Sequence, residues 1–525
     1  MDILRLNIEK TEPDALSESE IRFQAALLAA LAAVSVSLIL RFTLNAPLLP
    51  ELLVQYIFAI VPIWVVEIAV GLLGPFAKHL AFLGCVILYL IALTAASLGL
   101  FRYFAQQGGA ITGSYVIAIF SFAIWAVTML ILIPVMGGGL FARYLPQGAL
   151  YSSASFLLAH VVYGLSLALI PRWYKDRPDL ERTSNTWLNR RRVVRAIGFA
   201  VLAVGVYDIA KSLFGSWLLK GTGRVRGGDG IFPNIDGLAL EVTPTPDFYE
   251  VSKNPFDPIV DTERWRLEIT GMVESPLSLT YDDIRSMPSV EQYATLACID
   301  NPVGGNLIGN AMWRGVRMRD LLERAGLQAG VLDIKMRASD GYTDSIPIDR
   351  AMAEGTLLVY EMNGQPLTQS HGFPLRLIVP GIYGMKNVKW ITRIEAVNYD
   401  FRGYWQARGW DDRAEYKTMS RIDLPDDDIS GKTTIAGIAF AGDRGISKVE
   451  VSTDGGKSWE EAEIKPALSP FSWALWHKEW TPSQTGDHTL LVRATDGRGI
   501  TQTSEYAPAA PSGTSGYDRA VIESE

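Results

Sequence analysis

Long apolar stretches confined to roughly the first 215 residues constrain this chain more than any other feature. A bilayer's hydrocarbon core, about 30 Å thick, takes about 20 mostly apolar residues per helix. Six stretches meet that length: 23–42, 52–73, 80–100, 115–135, 150–170 and 193–214. Such a chain cannot be soluble throughout. The predicted fold class therefore begins with an α-helical membrane domain of about six spans, residues 1–214. The N-terminal segment is acidic and lacks a signal peptide's basic start, so no cleavable signal is expected.

One loop sets the orientation. Arg172, Lys175, Arg177, Arg182, Arg190, Arg191, Arg192 and Arg195 lie between the fifth and sixth stretches, and the other short loops hold one or two basic residues each. The positive-inside rule makes this loop cytoplasmic. Six spans then place both termini on the other side, and everything after residue 214 is predicted to face the periplasm or cell exterior. The run Asn189-Arg190-Arg191-Arg192-Val193-Val194 also reads as an internal twin-arginine export signal, although an ordinary basic anchor is the plainer reading.

Ionisable groups inside spans are costly and become functional candidates by default. Glu67, Asp208 and Lys211 are such groups. Mutual pairing between helices is the plainer reading, and an outer-side proton or quinone site the sharper one. His79 and His160 fall at different depths, so no b-type haem is expected. The electron partner is then an unidentified quinone or redox protein.

Residues 1–220 carry 17 Lys+Arg against 12 Asp+Glu, and residues 221–525 carry 31 against 44. The acidic second half argues against binding nucleic acid through its phosphates. Two cysteines, Cys85 and Cys298, exclude a disulfide framework, four-cysteine zinc sites and cysteine-ligated iron–sulfur clusters. With no Cys-x-x-Cys-His, covalent haem is excluded too.

Residues 215–240 are glycine-rich and read as a linker. Trp265–Gly271 alternates as a strand, and Tyr293–Cys298 is strand-like and runs into the loop 299–306. Met318, Leu321, Leu322 and Ala325 recur at helical spacing ahead of Gly326, predicting a capped amphipathic helix. Mixed elements fill residues 241–420. Over residues 421–506 short alternating strands punctuated by Asp-Gly turns predict a small β-sandwich. Residues 507–525 read as a loose C-terminal tail.

Cys298 stands where a strand enters a loop of Gly, Asn and Asp. A thiolate there suits a soft or high-valent metal, and such a loop lets backbone approach a large cofactor. Cys85 reads as packing filler. The block from His371 to Trp390 gathers a histidine, Arg376, Lys386, Lys389 and exposed-loop glycines around a buried strand, which is the equipment a phosphate-bearing cofactor needs.

Several motifs in order carry a resemblance. They are Thr245-Pro-Asp-Phe-Tyr-Glu250, Leu296-Ala-Cys298-Ile-Asp-Asn301, Ile308-Gly-Asn-Ala-Met-Trp313-Arg-Gly-Val316, Glu361-Met-Asn-Gly-Gln-Pro366, the His371–Trp390 block and Val449-Glu-Val-Ser-Thr-Asp-Gly-Gly-Lys-Ser-Trp459. Over about residues 244–501 the chain resembles the sulfite oxidase family of molybdopterin enzymes. The resemblance implies an α+β molybdopterin domain and an immunoglobulin-like β-sandwich that dimerises, with Trp459, Trp473, Trp476 and Trp480 divided between sandwich core and interface. It implies that the Cys298 thiolate ligates molybdenum beside a single pterin. It further implies that Tyr249, Glu250, Ser339, His371, Arg376, Asn387, Val388 and Lys389 contact the pterin and its phosphate. Tyr342 matches the family's active-site tyrosine, expected to hydrogen-bond substrate or a metal oxo group.

The departures bear on substrate. Family members that use oxyanions surround the metal with arginines; an ungapped alignment puts Val251, Pro302 and Val303 at those positions, with Lys253, Arg314 and Arg317 as nearby cations. The family's haem module is missing from this stretch. The expected function is membrane-anchored two-electron or oxygen-atom transfer outside the cytoplasm on a small substrate, sulfoxide-type or otherwise uncharged. Sulfite oxidation proper and a non-catalytic cofactor-binding membrane scaffold are the alternatives.

Overall fold

The computed structural model describes residues 18–62, 65, 68–69, 73, 76–106, 114–175, 235–425 and 429–524. The chain divides into two compact units, 1–60 with 69–215, and 61–68 with 216–525.

In the first unit four helices are long and apolar enough to cross a membrane: Ser19–Leu44, Ala77–Gln106, Tyr115–Val135 and Ala149–Ile170. They point to a multi-pass membrane protein. Their outward faces carry Ile87, Ile91, Ile119, Phe122, Leu165 and Leu169, so no polar face is kept for water. Inward, Ala25, Ala26, Ala29, Ala30 and Ala33 form a small-residue stripe on the first helix, which lies against Phe76–Gln106 and Ala149–Lys175. Small side chains let helix backbones approach closely where no hydrophobic effect drives them together. Tyr163 ties two helices by donating to the Leu93 carbonyl at 2.7 Å, and its oxygen lies 2.5 Å from Ser97 Oγ.

Of the expected second span, 52–73, the structure describes a 12-residue helix, Leu49–Ile60, shorter by itself than a bilayer crossing, and most of residues 63–73 lie outside the described residues. Pro62 follows it, and a proline disfavours helical geometry in the residue before it. The sixth stretch lies outside the described residues, as do Glu67, Asp208 and Lys211. An unforeseen buried pair lies in this unit instead. Arg41 holds Glu51 through Nε at 2.8 Å and Nη2 at 3.2 Å, and holds Asn45 at 2.7 Å. His79 and His160 are buried on separate helices; His160 Nδ1 contacts the Phe156 carbonyl at 2.7 Å.

The second unit is β-rich. One sheet runs Leu277–Leu279, Leu267–Gly271, Ile391–Val397, Asp333–Ala338, Thr343–Pro347. Its only parallel pair among the described strands is Leu267–Gly271 with Ile391–Val397. Gly271 ends its strand at φ +86, and a Cβ there would lie 2.2 Å from the Ala396 carbonyl oxygen, so no other residue fits. The other sheet is built on Val290–Ala297, Ile308–Arg317 and Leu357–Met362, with Gln365–Pro366 and Arg376–Ile378 pairing to the last. Short helices fill the gaps. Met318–Ala325 buries the four expected residues and stops at Gly326 in the left-handed region. Tyr281–Ser286 starts with a reciprocal cap between Thr280 and Asp283. These helices span eight and six residues, which is why the domain is β-rich rather than an even α+β mixture.

The sandwich has two four-stranded sheets, Met419–Leu424, Thr433–Phe440, Ala474–Trp480, Glu463–Ile464 and Glu460–Glu461, Ile446–Ser452, Gly486–Asp496, Asp518–Ser524. Ile435, Val449, Trp476, Leu490 and Val492 fill the space between them. Trp473 and Trp476 are buried, whereas Trp459 and Trp480 are half-buried. Residues 507–524 are not a loose tail. Asp518–Ser524 pairs along Gly486–Asp496 and completes a sheet. Proline and serine content suggested looseness, but alternation from Asp518 to Ser524 buries Ile522 in the sandwich. The linker's last residues are also anchored: Leu238 and Ala239 pack on the core near the cysteine.

Candidate active site

Strands Val290–Ala297 and Ile308–Arg317 pair antiparallel with Ala297 opposite Ile308, so Cys298 is the first residue of the loop joining them. The loop is held from within. Cys298 N–H donates to the Leu307 carbonyl at 2.9 Å, Asn301 N–H to the Cys298 carbonyl at 3.1 Å, and Leu307 N–H to Asn301 Oδ1 at 2.8 Å. It is also held from outside. Thr514 Oγ1 donates to the Asn301 carbonyl at 2.7 Å, and Arg421 to the Gly305 carbonyl at 3.1 Å. Thus the C-terminal segment braces the cysteine loop.

Aromatic side chains line the thiol. Tyr416 Oη accepts the Ala297 N–H at 2.9 Å, and the Tyr383 and Tyr416 rings meet edge to face at 4.6 Å. A Cβ on Gly384 would lie 2.5 Å from Tyr249 Oη and 3.1 Å from the Ala297 carbonyl oxygen, so glycine there gives Tyr249 its place. Burial, and to a lesser degree the nearby Cys298 sulfur, raises the pKa of Tyr249, Tyr383 and Tyr416. Burial pushes the Cys298 thiol up to about 12, against the opposing pull of the Asp300 and Ile299 amides. Such a half-buried, desolvated thiol stays protonated by itself, and a metal ion bound there would have to replace the proton.

A few residues away the chemistry changes. Arg376 is buried, donates Nη1 to the His371 carbonyl at 3.1 Å and stacks on Trp313 at 5.1 Å. Its Nε has no partner, and among the described residues no carboxylate pairs with it. Burial pulls its pKa down to about 10, as expected of a desolvated cation, while Tyr249 and Tyr416 act on it in the other direction. His371 places Nε2 3.1 Å from the Thr245 carbonyl and its ring edge-on to Phe248. Burial, then Arg376, holds its pKa down at about 4, so it is neutral at pH 7. Phe248 stacks with Tyr249 at 5.3 Å and meets Trp313 at 5.7 Å, which joins this end to the thiol end. Ser339 Oγ is buried and also lacks a partner. An uncompensated buried guanidinium and an orphaned hydroxyl fit an anionic, hydrogen-bonding ligand.

The other expected contacts are placed differently. Lys389 Nζ donates to Ser252 Oγ at 2.9 Å and to the Ser370 carbonyl at 2.8 Å, and Ser370 donates to Glu250. Asn387 spends its side chain on the main chain, accepting from Val379 N–H at 2.6 Å and donating to Tyr383 O at 3.1 Å. Val388 is buried in the core. Tyr342 Oη lies 2.9 Å from both Asp344 Oδ2 and the Met385 carbonyl. Lys253 pairs with Asp340, Arg314 with Glu361 and Arg317 with Glu354. Tyr383, Tyr416 and Asp344 were not foreseen. Tyr383 stands inside the His371–Trp390 block and Asp344 two residues past Tyr342, but nothing local marks Tyr416, which reaches Ala297 across 119 residues.

The oxidoreductase molybdopterin binding domain matches residues 254–405, and the Mo-co oxidoreductase dimerisation domain matches residues 416–509. Mitochondrial sulfite oxidase of Mus musculus is 33% identical over 319 residues, covering 51% of this chain and 58% of that protein. Sulfite oxidase of Arabidopsis thaliana is 31% identical over 321 residues, covering 49% of this chain and 80% of that protein. An uncharacterized oxidoreductase, YuiH, of Bacillus subtilis is 34% identical over 155 residues, covering 30% and 76%. The chain belongs to the sulfite oxidase family of molybdopterin-dependent oxidoreductases. It is a sulfite-oxidase-like enzyme whose cofactor is a molybdenum–pterin, preceded by apolar helices. The match spans little over half the length of the mitochondrial relatives.

Proposed function

We propose that this protein is a membrane-anchored molybdopterin oxidoreductase that transfers two electrons or an oxygen atom to or from a small uncharged substrate outside the cytoplasm. Cys298 would hold molybdenum. Tyr249, Ser339, His371 and Arg376 would hold the pterin and its phosphate, with Glu250, Asn387, Val388 and Lys389 supporting that wall. When bound, the cofactor supplies the two-electron chemistry. The chain's own contribution is position and electrostatics: Arg376 meets the anionic end, neutral His371 fixes Thr245, and the tyrosines exclude water around the thiol.

One observation carries the substrate class. The wall around Cys298 is Tyr249, Tyr383 and Tyr416, and the cations nearest in sequence are each tied to a carboxylate. A desolvated dianion needs fixed positive charge, most effectively from arginine's planar fork. A sulfoxide-type substrate does not. The six-span topology, with the basic loop inside, the enzyme domain exported and a quinone or redox protein as electron partner, belongs to the same reading, as does a homodimer through the sandwich.

The test is purified, molybdenum-loaded protein assayed with reduced viologen dye against sulfoxides, and with an electron acceptor against sulfite. Sulfoxide turnover with weak or no sulfite oxidation is expected. Rapid, saturable sulfite oxidation at micromolar substrate would instead support the second reading, which the names of the relatives favour: sulfite oxidase proper.

A further inference from the structure

Behind Tyr342 lies a buried chain of titratable groups that the cofactor site leaves unused. Tyr342 Oη has two acceptors at 2.9 Å, Asp344 Oδ2 and the Met385 carbonyl. A phenol carries one proton, and a carbonyl carries none. Each contact becomes a full two-centre hydrogen bond if a second proton sits on Asp344, which then donates to Tyr342 while Tyr342 donates to Met385. Asp344 Oδ1 accepts from Ser345 N–H at 2.8 Å and from Lys386 Nζ at 3.2 Å, so such a proton would sit on Oδ2. Gln406 Nε2 approaches Oδ2 at 3.3 Å. Asp340 and Tyr404 are the remaining titratable groups acting on Tyr342, and burial holds the Asp344 carboxyl above the usual range despite Lys386.

The chain leads outward. Lys386 is 1% exposed, bonds the Ser345 carbonyl at 2.9 Å and reaches Asp412 at 3.2 Å. The Asp344 side chain is fully buried and that of Asp412 is 45% exposed. It also leads inward. Met385 follows Gly384, which abuts the Ala297 carbonyl and Tyr249 Oη next to Cys298.

We propose that Tyr342, Asp344, Lys386 and Asp412 form a proton relay between solvent and the cysteine side of the site. This rests on the oxidoreductase reading above. Removing an oxygen atom from a substrate as water consumes two electrons, from a quinol or reduced-protein donor, and two protons. For each proton, Tyr342 gives its phenolic proton to the substrate oxygen that leaves as water and takes the Asp344 carboxyl proton. Lys386 then reprotonates Asp344, Asp412 reprotonates Lys386, and water reprotonates Asp412. In the oxidising direction the same protons leave by the same groups.

Two measurements on the full-length protein test it. Infrared spectroscopy at pH 7 should show a protonated-carboxyl band that shifts in heavy water, persists in Asp412→Asn and disappears in Asp344→Asn. No band lost in Asp344→Asn would overturn the assignment of the proton, and this readout needs neither metal nor turnover. In weakly buffered medium Asp412→Asn should lower kcat about tenfold, leave KM unchanged and be rescued by added small weak acids, with molybdenum and pterin content equal to wild type. Wild-type kcat across pH 6–9 in that variant, or a loss without rescue, would overturn the relay. Wild-type protein without molybdenum would instead defeat the oxidoreductase reading and leave the infrared result standing.

Discussion

The two ends of the candidate site treat charge in opposite ways. At the Arg376 end a cation is buried with its Nε unpartnered and no carboxylate beside it. At the Cys298 end the neighbouring side chains are tyrosines, and Lys253, Arg314 and Arg317 are each paired with a carboxylate. Burying an uncompensated charge is costly, so a fold retains one where a ligand supplies the opposite charge. On the function proposed above, the difference would separate two jobs: one end keeps an anionic cofactor, and the other admits a substrate that brings no charge.

The largest effect should come from the metal end. Cys298→Ser removes the thiolate, and molybdenum per protein should fall to background while the fold's thermal transition stays near that of cofactor-free wild type. Elemental analysis with a melting curve checks both. Equal molybdenum in the variant would break the comparison at its root.

Arg376→Met should separate holding from folding. With its counter-charge gone, the cofactor phosphate loses a partner worth about 2–5 kcal/mol, or roughly 30- to several-thousandfold in retention. Apo protein should melt no lower than wild-type apo protein, because a buried, unpaired guanidinium has been replaced by an apolar chain. Pterin content after gel filtration and apo-protein melting are the two measurements. A large drop in apo stability with full cofactor retention would make Arg376 structural.

Much of this arrangement was legible in the sequence. Gly326 marked the helix stop and Gly271 the strand end, since each sits where only glycine's backbone freedom serves. Cys298 was marked by standing between a strand and a Gly/Asn loop. The sandwich strands were marked by period-two alternation. What was not legible is what long-range pairing creates. Tyr416 reaches the cysteine strand only because the sandwich's first sheet packs on it. Asn387, which the resemblance gives to the cofactor, spends its side chain on the main chain of Val379 and Tyr383, a role no local motif announces. The loose tail failed for a related reason: composition says nothing of a strand's unpaired partner, here Gly486–Asp496.

His371 gives the comparison a pH signature. Its imidazole titrates near 6.5 when unfolded and near 4 when buried beside Arg376. Between those values the unfolded chain binds a proton that the folded chain refuses. Stability is therefore fully present above about pH 6.5 and falls as pH is lowered toward 4, by at most about 3 kcal/mol. His371→Gln should flatten that part of the apo protein's stability–pH curve. An unchanged slope in the variant would place the acid sensitivity elsewhere.

The smallest effect belongs to the substrate end and decides whether its lack of charge is a single missing residue or a property of the whole wall. Val303 lies in the cysteine loop, half-exposed, so an arginine there can reach the cleft without first being buried. Its guanidinium would gain a charge-assisted hydrogen bond to sulfite worth about 1.5–3 kcal/mol, less the cost of ordering a long side chain. The net should be about a tenfold gain in kcat/KM for sulfite, about 1.4 kcal/mol, with sulfoxide turnover changed less than about threefold. Val251 and Pro302 would still contribute no charge, and Tyr249, Tyr383 and Tyr416 would still exclude the water that a dianion needs. A gain beyond about a thousandfold, some 4 kcal/mol, exceeds what one added arginine supplies. It would mean that the remaining charge was already present at the metal, and that the contrast between the two ends reduces to one position.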